Sequence, residues 1–283
     1  MKSIKSGVLS FIIVLLLMPI GHAIMVIIEH SMGSRELLAA GILGSLGALL
    51  LIIGLYKNSN RAIATILGLL AGILIWTGWV EFSFVWIADK LNVAPYIEDG
   101  EVATKPEYLI MLSSIGLLGT LGLFYLFSKT HCTLIVWFQK NLGYKDKIIT
   151  KGAMSKPLAI TTFMETIVII WAFYILLLLV YDPDIFGANH PVAYVVAYGS
   201  LLWSAFLMAN LLKIQKFDYA IRYAVPTVII FWNFIEVIGR WGWFKEVWIY
   251  PKEHWLEVTS LFIAFAAFLI YFFTSNKTKT ITP

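Results

Sequence analysis

Long apolar runs separated by short polar connections dominate the chain. Stretches of about 20 residues, the length a helix needs to cross a hydrocarbon core, fall near 7–28, 36–56, 62–86, 107–127, 157–181, 191–212, 223–245 and 255–273. The pattern predicts an all-α integral membrane protein with eight transmembrane helices. The connections alternate in charge. Lys2 and Lys5, Lys57 and Arg61, the six lysines from Lys129 to Lys156, then Lys213, Lys216 and Arg222, and finally Lys277 and Lys279 fall on one side. Glu36, Asp89, Glu98, Asp99, Glu101, Asp182, Asp184 and Glu253 fall on the other. The positive-inside rule then makes both termini cytoplasmic and the acidic connections external.

The polar residues inside these runs repeat. A shift of 155 residues carries Glu29 onto Asp184, Gly44-Ser45-Leu46 onto Gly199-Ser200-Leu201, and Glu81 onto Glu236. Each copy holds four spans, an even number, so the copies share one orientation and are expected to be related by a pseudo-twofold along the membrane normal. The expected division is a first four-helix repeat over 1–130, a basic cytoplasmic linker over 131–156, and a second repeat over 157–283. The extra residues of the first copy form an acidic loop from Asp89 to Lys105. The first span also has the look of a secretory signal, with Gly21-His22-Ala23 as a cleavage site. Removing it breaks the pairing of the copies, and it is kept as a helix.

Composition agrees with this picture. Of the 283 residues, 60% are hydrophobic and 13% charged, and mean hydropathy is +0.83, far from soluble norms. The net charge of +4 lies mainly in short loops, where topology explains it, so nucleic acid is excluded as a partner. The lone Cys132 excludes an intrachain disulfide. The localisation that follows is a bacterial or archaeal cytoplasmic membrane, with other membrane subunits or further copies of the chain as partners.

Candidate chemistry sits where acids meet the bilayer, since such groups are costly there. Glu81 and Glu236 lie at matching depth in the third and seventh spans. Glu236 has Arg240 one turn on, in pairing geometry, where Glu81 has Val85. His22, Met25, Glu29 and His30 share one helical face near the exit of the first span. Imidazole, thioether and carboxylate together make a copper-type ligand set; a helix cap with interfacial polar residues is the plainer alternative. Glu165 is either a proton relay or reaches back to the lysines near 151–156. Among the outer polar residues only Glu257 is expected to turn inward. The run Trp241 to Trp255 reads as an interfacial aromatic belt, and glycines in the second, third and fourth spans as sites of close helix contact.

The second copy resembles the A subunit of the copper membrane monooxygenases, the particulate methane and ammonia monooxygenases. The resemblance lies in the order Asp182-Pro183-Asp184, a helix, then Glu236, Arg240, Trp241, Trp243, Trp248 and Tyr250-Pro251, and covers about 170–275. The family's histidine-methionine stretch is absent before the acidic turn, where Leu177 and Val180 stand. The resemblance implies a subunit of an enzyme oxidising a small apolar substrate or ammonia, with copper as cofactor and Glu81, Glu236 and Arg240 in the reacting site. The duplication alone implies a different function, a transporter or channel using Glu81 and Glu236 as paired proton or cation sites. A purely structural membrane subunit is the third expectation.

Overall fold

In the computed structural model of the chain, residues 2–98, 101–128, 133–143 and 157–281 are described. Cys132, Asp99 and the lysines at 129, 145, 147, 151 and 156 lie outside them. Helix α1 (Lys2–Met32) ends in a 3-10 turn, Gly33–Arg35, and α2 (Glu36–Tyr56) follows. Gly33 has φ of +49°, a conformation that glycine adopts without steric cost. Helix α3 (Arg61–Ile75) is capped by Asn60, whose side chain accepts from the Ile63 amide at 3.2 Å. It runs through a π-helical turn, Trp76–Glu81, into α4 (Phe82–Lys90).

The acidic loop of the first copy carries the one described ribbon, β1 (Tyr96–Glu98) antiparallel to β2 (Glu101–Thr104). Then come α5 (Pro106–Leu112), α6 (Ile115–Phe127), α7 (Thr133–Asn141), α8 (Leu158–Tyr181), α9 (Pro191–Leu211), α10 (Phe217–Arg240) and α11 (Trp255–Ile281). Helix α7 falls inside the stretch read as a linker, and the fourth span is bent by 47° between α5 and α6. Six described stretches are long and apolar enough to cross a membrane, or seven with the bent pair taken as one span.

The packing is that of a bundle turned toward lipid. Val195 and Leu202 on α9 are 71% and 72% exposed, while Ala193, Ala197, Ser200, Ser204, Leu207 and Leu211 face inward at intervals of three and four. Helix α2 buries Ala40, Gly44, Gly47 and Gly54 at the spacing at which α9 buries Ala193, Ala197, Ser200 and Leu207. Small residues let backbones approach, the main source of helix association where neighbouring lipid is equally apolar. A Cβ on Gly44 would strike Trp79, one on Gly78 the α2 backbone at Gly44 and Ala40, and one on Gly68 the α8 backbone at Ala159.

Several contacts recur between the first and second halves of the chain. Helix α2 lies on α3 as α9 lies on α10, α3 packs on α8 as α10 packs on α1, and α3 meets α10 at the centre. Burial repeats as well. Ser10, Val14, Met18, Ile20, Ala23 and Met25 of α1 are buried, and so are Glu165, Ile169, Phe173, Ile175, Leu178 and Val180 of α8, 155 residues on.

Several expectations need correction. Gly199 does not repeat the role of Gly44, because a Cβ there would meet nothing within 4 Å; the buried stripes of α2 and α9 align two residues away from the sequence match. The glycines of α6, Gly116, Gly119 and Gly122, likewise face open space. The seventh span covers 217–240 and not 223–245, since Asp218 and Arg222 are buried within α10. Their charges are matched across helices. Arg61 donates to Asp218 at 2.8 Å, and Arg222 grips Glu165 through Nε at 2.8 Å and Nη2 at 2.5 Å. Glu165 therefore pairs with α10, which places Arg222 inside the bundle and not in a cytoplasmic loop. Glu257 points outward, 57% exposed and 3.5 Å from His254.

Arg222→Ala should destabilise the protein by about 3–5 kcal/mol, because it strands a buried carboxylate. Glu165→Leu combined with Arg222→Met should recover most of that loss, as a pair of apolar residues needs no partner. Thermal unfolding in detergent reads both; a neutral single variant would mean that the pair carries no such constraint.

Candidate functional site

The ends of α1, α8 and α10 and the start of α5 enclose a cavity of about 770 Å³, closed over by the segment after α10 through Glu246, Ile249 and Tyr250. Each helix brings polar groups for its own reason. On α10, Trp232, Asn233, Glu236 and Arg240 recur at one-turn intervals and so share a face. Helix α1 contributes Met18, His22, Met25 and Val26, and α8 contributes Phe173, Tyr174, Leu177 and Tyr181. The β1–β2 ribbon returns the chain so that Thr104, Lys105 and Tyr108 complete the wall.

Glu236 accepts from Trp232 Nε1 at 2.6 Å and lies 3.4 Å from His22 Nε2. The His22 ring stacks on Trp232, with centroids 6.1 Å apart and planes 19° from parallel, and also approaches Tyr174 at 6.3 Å. Tyr174 is a near neighbour of both Glu81 and Tyr108, its ring 6.0 Å from that of Tyr108 and 5.7 Å from that of Trp76. Tyr174 thus stands between the surroundings of Glu81 and those of His22 and Glu236, and of the two carboxyls Glu236 lines the cavity. Glu81 is 3% exposed, and its Oε1 is buried with no hydrogen-bond partner among the described residues. The π-helical turn is what delivers it. Such turns add a residue to a helix and recur at functional sites, and this one also seats Gly78 on α2.

Beside Glu81 lies a second group. Lys105 Nζ is 2.9 Å from Glu29 and 3.6 Å from Glu107. Burial works against its charge, but the carboxylates of Glu29 and Glu107 outweigh it and hold the ammonium above its ordinary range. Arg240 sits over the Tyr181 ring, 4.7 Å from its centroid, a favourable cation–π geometry. Glu246 folds back onto α10 at Gly239, where a Cβ would collide with it. Burial, and after it the charge of Glu236, pushes the Glu246 carboxyl up to about 8.

Of the residues singled out in the sequence, Glu81, Glu236, Arg240, His22, Met25 and Glu29 gather at this end of the bundle. His30 does not join them; it is exposed, with Nδ1 2.9 Å from the Val26 carbonyl of its own helix. The proposed copper ligands occupy four surroundings: His22 faces Glu236, Met25 is packed with Ile28, Ala40, Phe82 and Val85, Glu29 holds Lys105, and His30 faces outward. Among the described residues no three His, Cys, Asp or Glu side chains are grouped to hold a metal ion. Asp184, the repeat partner of Glu29, lies in an exposed turn whose backbone amide is held by Asp182 at 2.9 Å.

Sequence reasoning missed Lys105, Glu107, Tyr108, Tyr174, Tyr181 and Glu246. Lys105 and Glu246 look like ordinary loop charges, and the tyrosines like interfacial aromatics. The aromatic run itself divides, with Trp243 and Trp255 exposed and Trp248 buried 4.9 Å from Trp232. Compared with protein-family models, curated proteins and solved structures, the chain matches none.

Stability should fall as pH rises from about 4.5 to about 8 through Glu246. The folded state binds this proton more tightly than the unfolded chain, so ionisation opposes folding across that window and adds nothing above it. Comparing pH profiles of thermal unfolding for the parent and Glu246→Gln should show a smaller decline in the variant; identical profiles would contradict the assignment.

Proposed function

We propose that the chain is a proton- or cation-coupled membrane transporter whose substrate site is the cavity between the two halves, with Glu81 and Glu236 as the exchanging groups. The observation that carries this reading is that Glu236 lines the cavity beside His22, and that Tyr174, a neighbour of both His22 and Glu81, lines the same wall. Carboxyls in an apolar bundle are held for a purpose beyond folding, and one acid lining a cavity with a second behind its wall suits uptake of a cation against release of a proton. His22 and Tyr174 lie between them as groups able to accept and donate. Lys105 fixes the Glu29 and Glu107 charges, leaving Glu81 as the unmatched acid.

The reading extends to topology. The 53-residue stretch Ile4–Tyr56, at 1.5 Å per residue, is about twice as long as one crossing requires, and Gly33 divides it. With α1 and α2 as separate spans, and α3–α4 and α5–α6 each as one, the chain crosses eight times in two parallel repeats. Both termini are then cytoplasmic, and the cavity opens in the outer half. The packing symmetry between halves supports this arrangement. The pairs Glu165–Arg222 and Arg61–Asp218 bind α10 to α8 and α3 at the opposite end, which suits a cavity open to one side only.

Proteoliposomes holding a pH-sensitive dye should show proton movement when a sodium, potassium or methylammonium gradient is imposed. Glu81→Gln and Glu236→Gln should each abolish it while keeping the fold. No flux with any of these ions would sink the transport reading, and stoichiometric copper retained through purification would favour the monooxygenase reading instead. For topology, cysteines placed near Asp99 should react with an impermeant thiol reagent from outside, and those at Gly143 should not. The reverse pattern would overturn the orientation.

A further inference from the structure

We infer that the cavity takes an organic ammonium ion with an apolar body, and that this ligand enters from the bilayer through a cleft between α1 and α11. The inference rests on the reading of the cavity as a cation site, and adds the class of cation and its route.

The lining speaks for the class. Tyr108, Phe173, Tyr174, Tyr181 and Trp232 present rings to the cavity, and ring faces attract ammonium groups, more strongly when water is excluded. An inorganic ion of the calcium or magnesium type needs a tight shell of oxygens, and about 770 Å³ is far too large for one. Met18, Ile170, Leu178 and Ile229 make the remaining wall apolar. A ligand with one charged end and a hydrocarbon body meets the carboxyls of Glu236 and Glu246, the latter releasing its proton as the cation arrives, and apolar surface elsewhere. An anion is opposed, because the two lining cations, Lys105 and Arg240, already face Glu29 and the Tyr181 ring.

The route follows from a second cavity, of about 410 Å³. The buried side of its lining is Val26, Val258 and Phe262, and Ile27, His30, Lys252 and Glu253 stand on its exposed rim. Val26, Ile249 and Tyr250 line both cavities, so this thin wall is what separates them. Helix α11 buries only Val258 and Phe272 among its described side chains, which leaves the cleft on the lipid-facing side. A polar rim above an apolar floor is the surface an amphiphile meets at a membrane interface.

Isothermal titration of the full chain in lipid nanodiscs, corrected with protein-free nanodiscs, should show hexylammonium binding. Methylammonium should bind at least about tenfold more weakly, since each buried methylene adds about 0.8 kcal/mol, and hexanoate should not bind. Glu236→Gln should weaken hexylammonium by about tenfold or more through loss of a charge-assisted contact, and Glu246→Gln should weaken it independently. Asp184→Asn, in its exposed turn, should change nothing. Hexanoate binding as tightly as hexylammonium, methylammonium matching it, or both glutamine variants binding unchanged would overturn the ligand class.

Stopped-flow association of hexylammonium should slow several-fold in Ile249→Trp, with little change in Kd, and quicken in Tyr250→Ala. Unchanged rates in both would overturn the lateral route. Binding without coupled proton flux would remove the transport reading and leave this one standing; flux without hexylammonium binding would do the reverse.

Discussion

A carboxyl group inside a bilayer has no water to turn to, and that constraint organises this molecule. Each apolar helix that carries an acid or a base must present it to another helix, because lipid offers no alternative partner. Glu165 therefore meets Arg222, Asp218 meets Arg61, and Glu236 meets Trp232 and His22. The helices that carry polar residues, α1, α3, α8 and α10, form the centre. Helices α9 and α11, which carry no charged side chain into the bundle, turn apolar side chains outward. Glycine and alanine make the arrangement sterically feasible by letting α2, α3 and α8 approach at Gly44, Gly68 and Gly78.

The two ends of the bundle use this constraint differently. Where α3 and α10 begin, the charges are paired off in short contacts, buried for Glu165–Arg222 and at the surface for Arg61–Asp218. At the other end α10 lines a cavity with α1 and α8, and polar groups gather there without being fully satisfied. Glu81 keeps an oxygen, and Asn233 its Nδ2 amide donor, with no hydrogen-bond partner among the described residues. Unfulfilled groups of this kind oppose stability, which makes them hard to explain by packing and easier to explain by a ligand or proton that they bind in turn.

Much of this was legible in the chain, for physical reasons. Apolar runs of bilayer length gave the helices, and intramembrane acids gave Glu81 and Glu236, because hydrocarbon excludes charge unless it is used. The partners were not legible. Arg222 and Asp218 sit beside a basic connection and look like its continuation; only the fold shows that a helix starts earlier and takes them inside. Tyr174 and Tyr108 carry no signal that separates a relay hydroxyl from an interfacial ring. The π-helical turn that aims Glu81 leaves no mark in a 3.6-residue pattern, and His22 was hidden as a neighbour of Glu236 because a contact between helices is not visible in sequence. The Gly-Ser-Leu match shows the opposite error: identical residues at a fixed shift can occupy different faces.

The central claim is that Glu81 and Glu236 belong to one linked site. A double-mutant cycle on proton-coupled flux tests it most directly, with partial-activity substitutions such as Glu81→Asp and Glu236→Asp so that every corner is measurable. The account predicts strong non-additivity, with the double variant close to the weaker single one. Effects that multiply independently would contradict it, and would separate the two carboxyls that Tyr174 stands between.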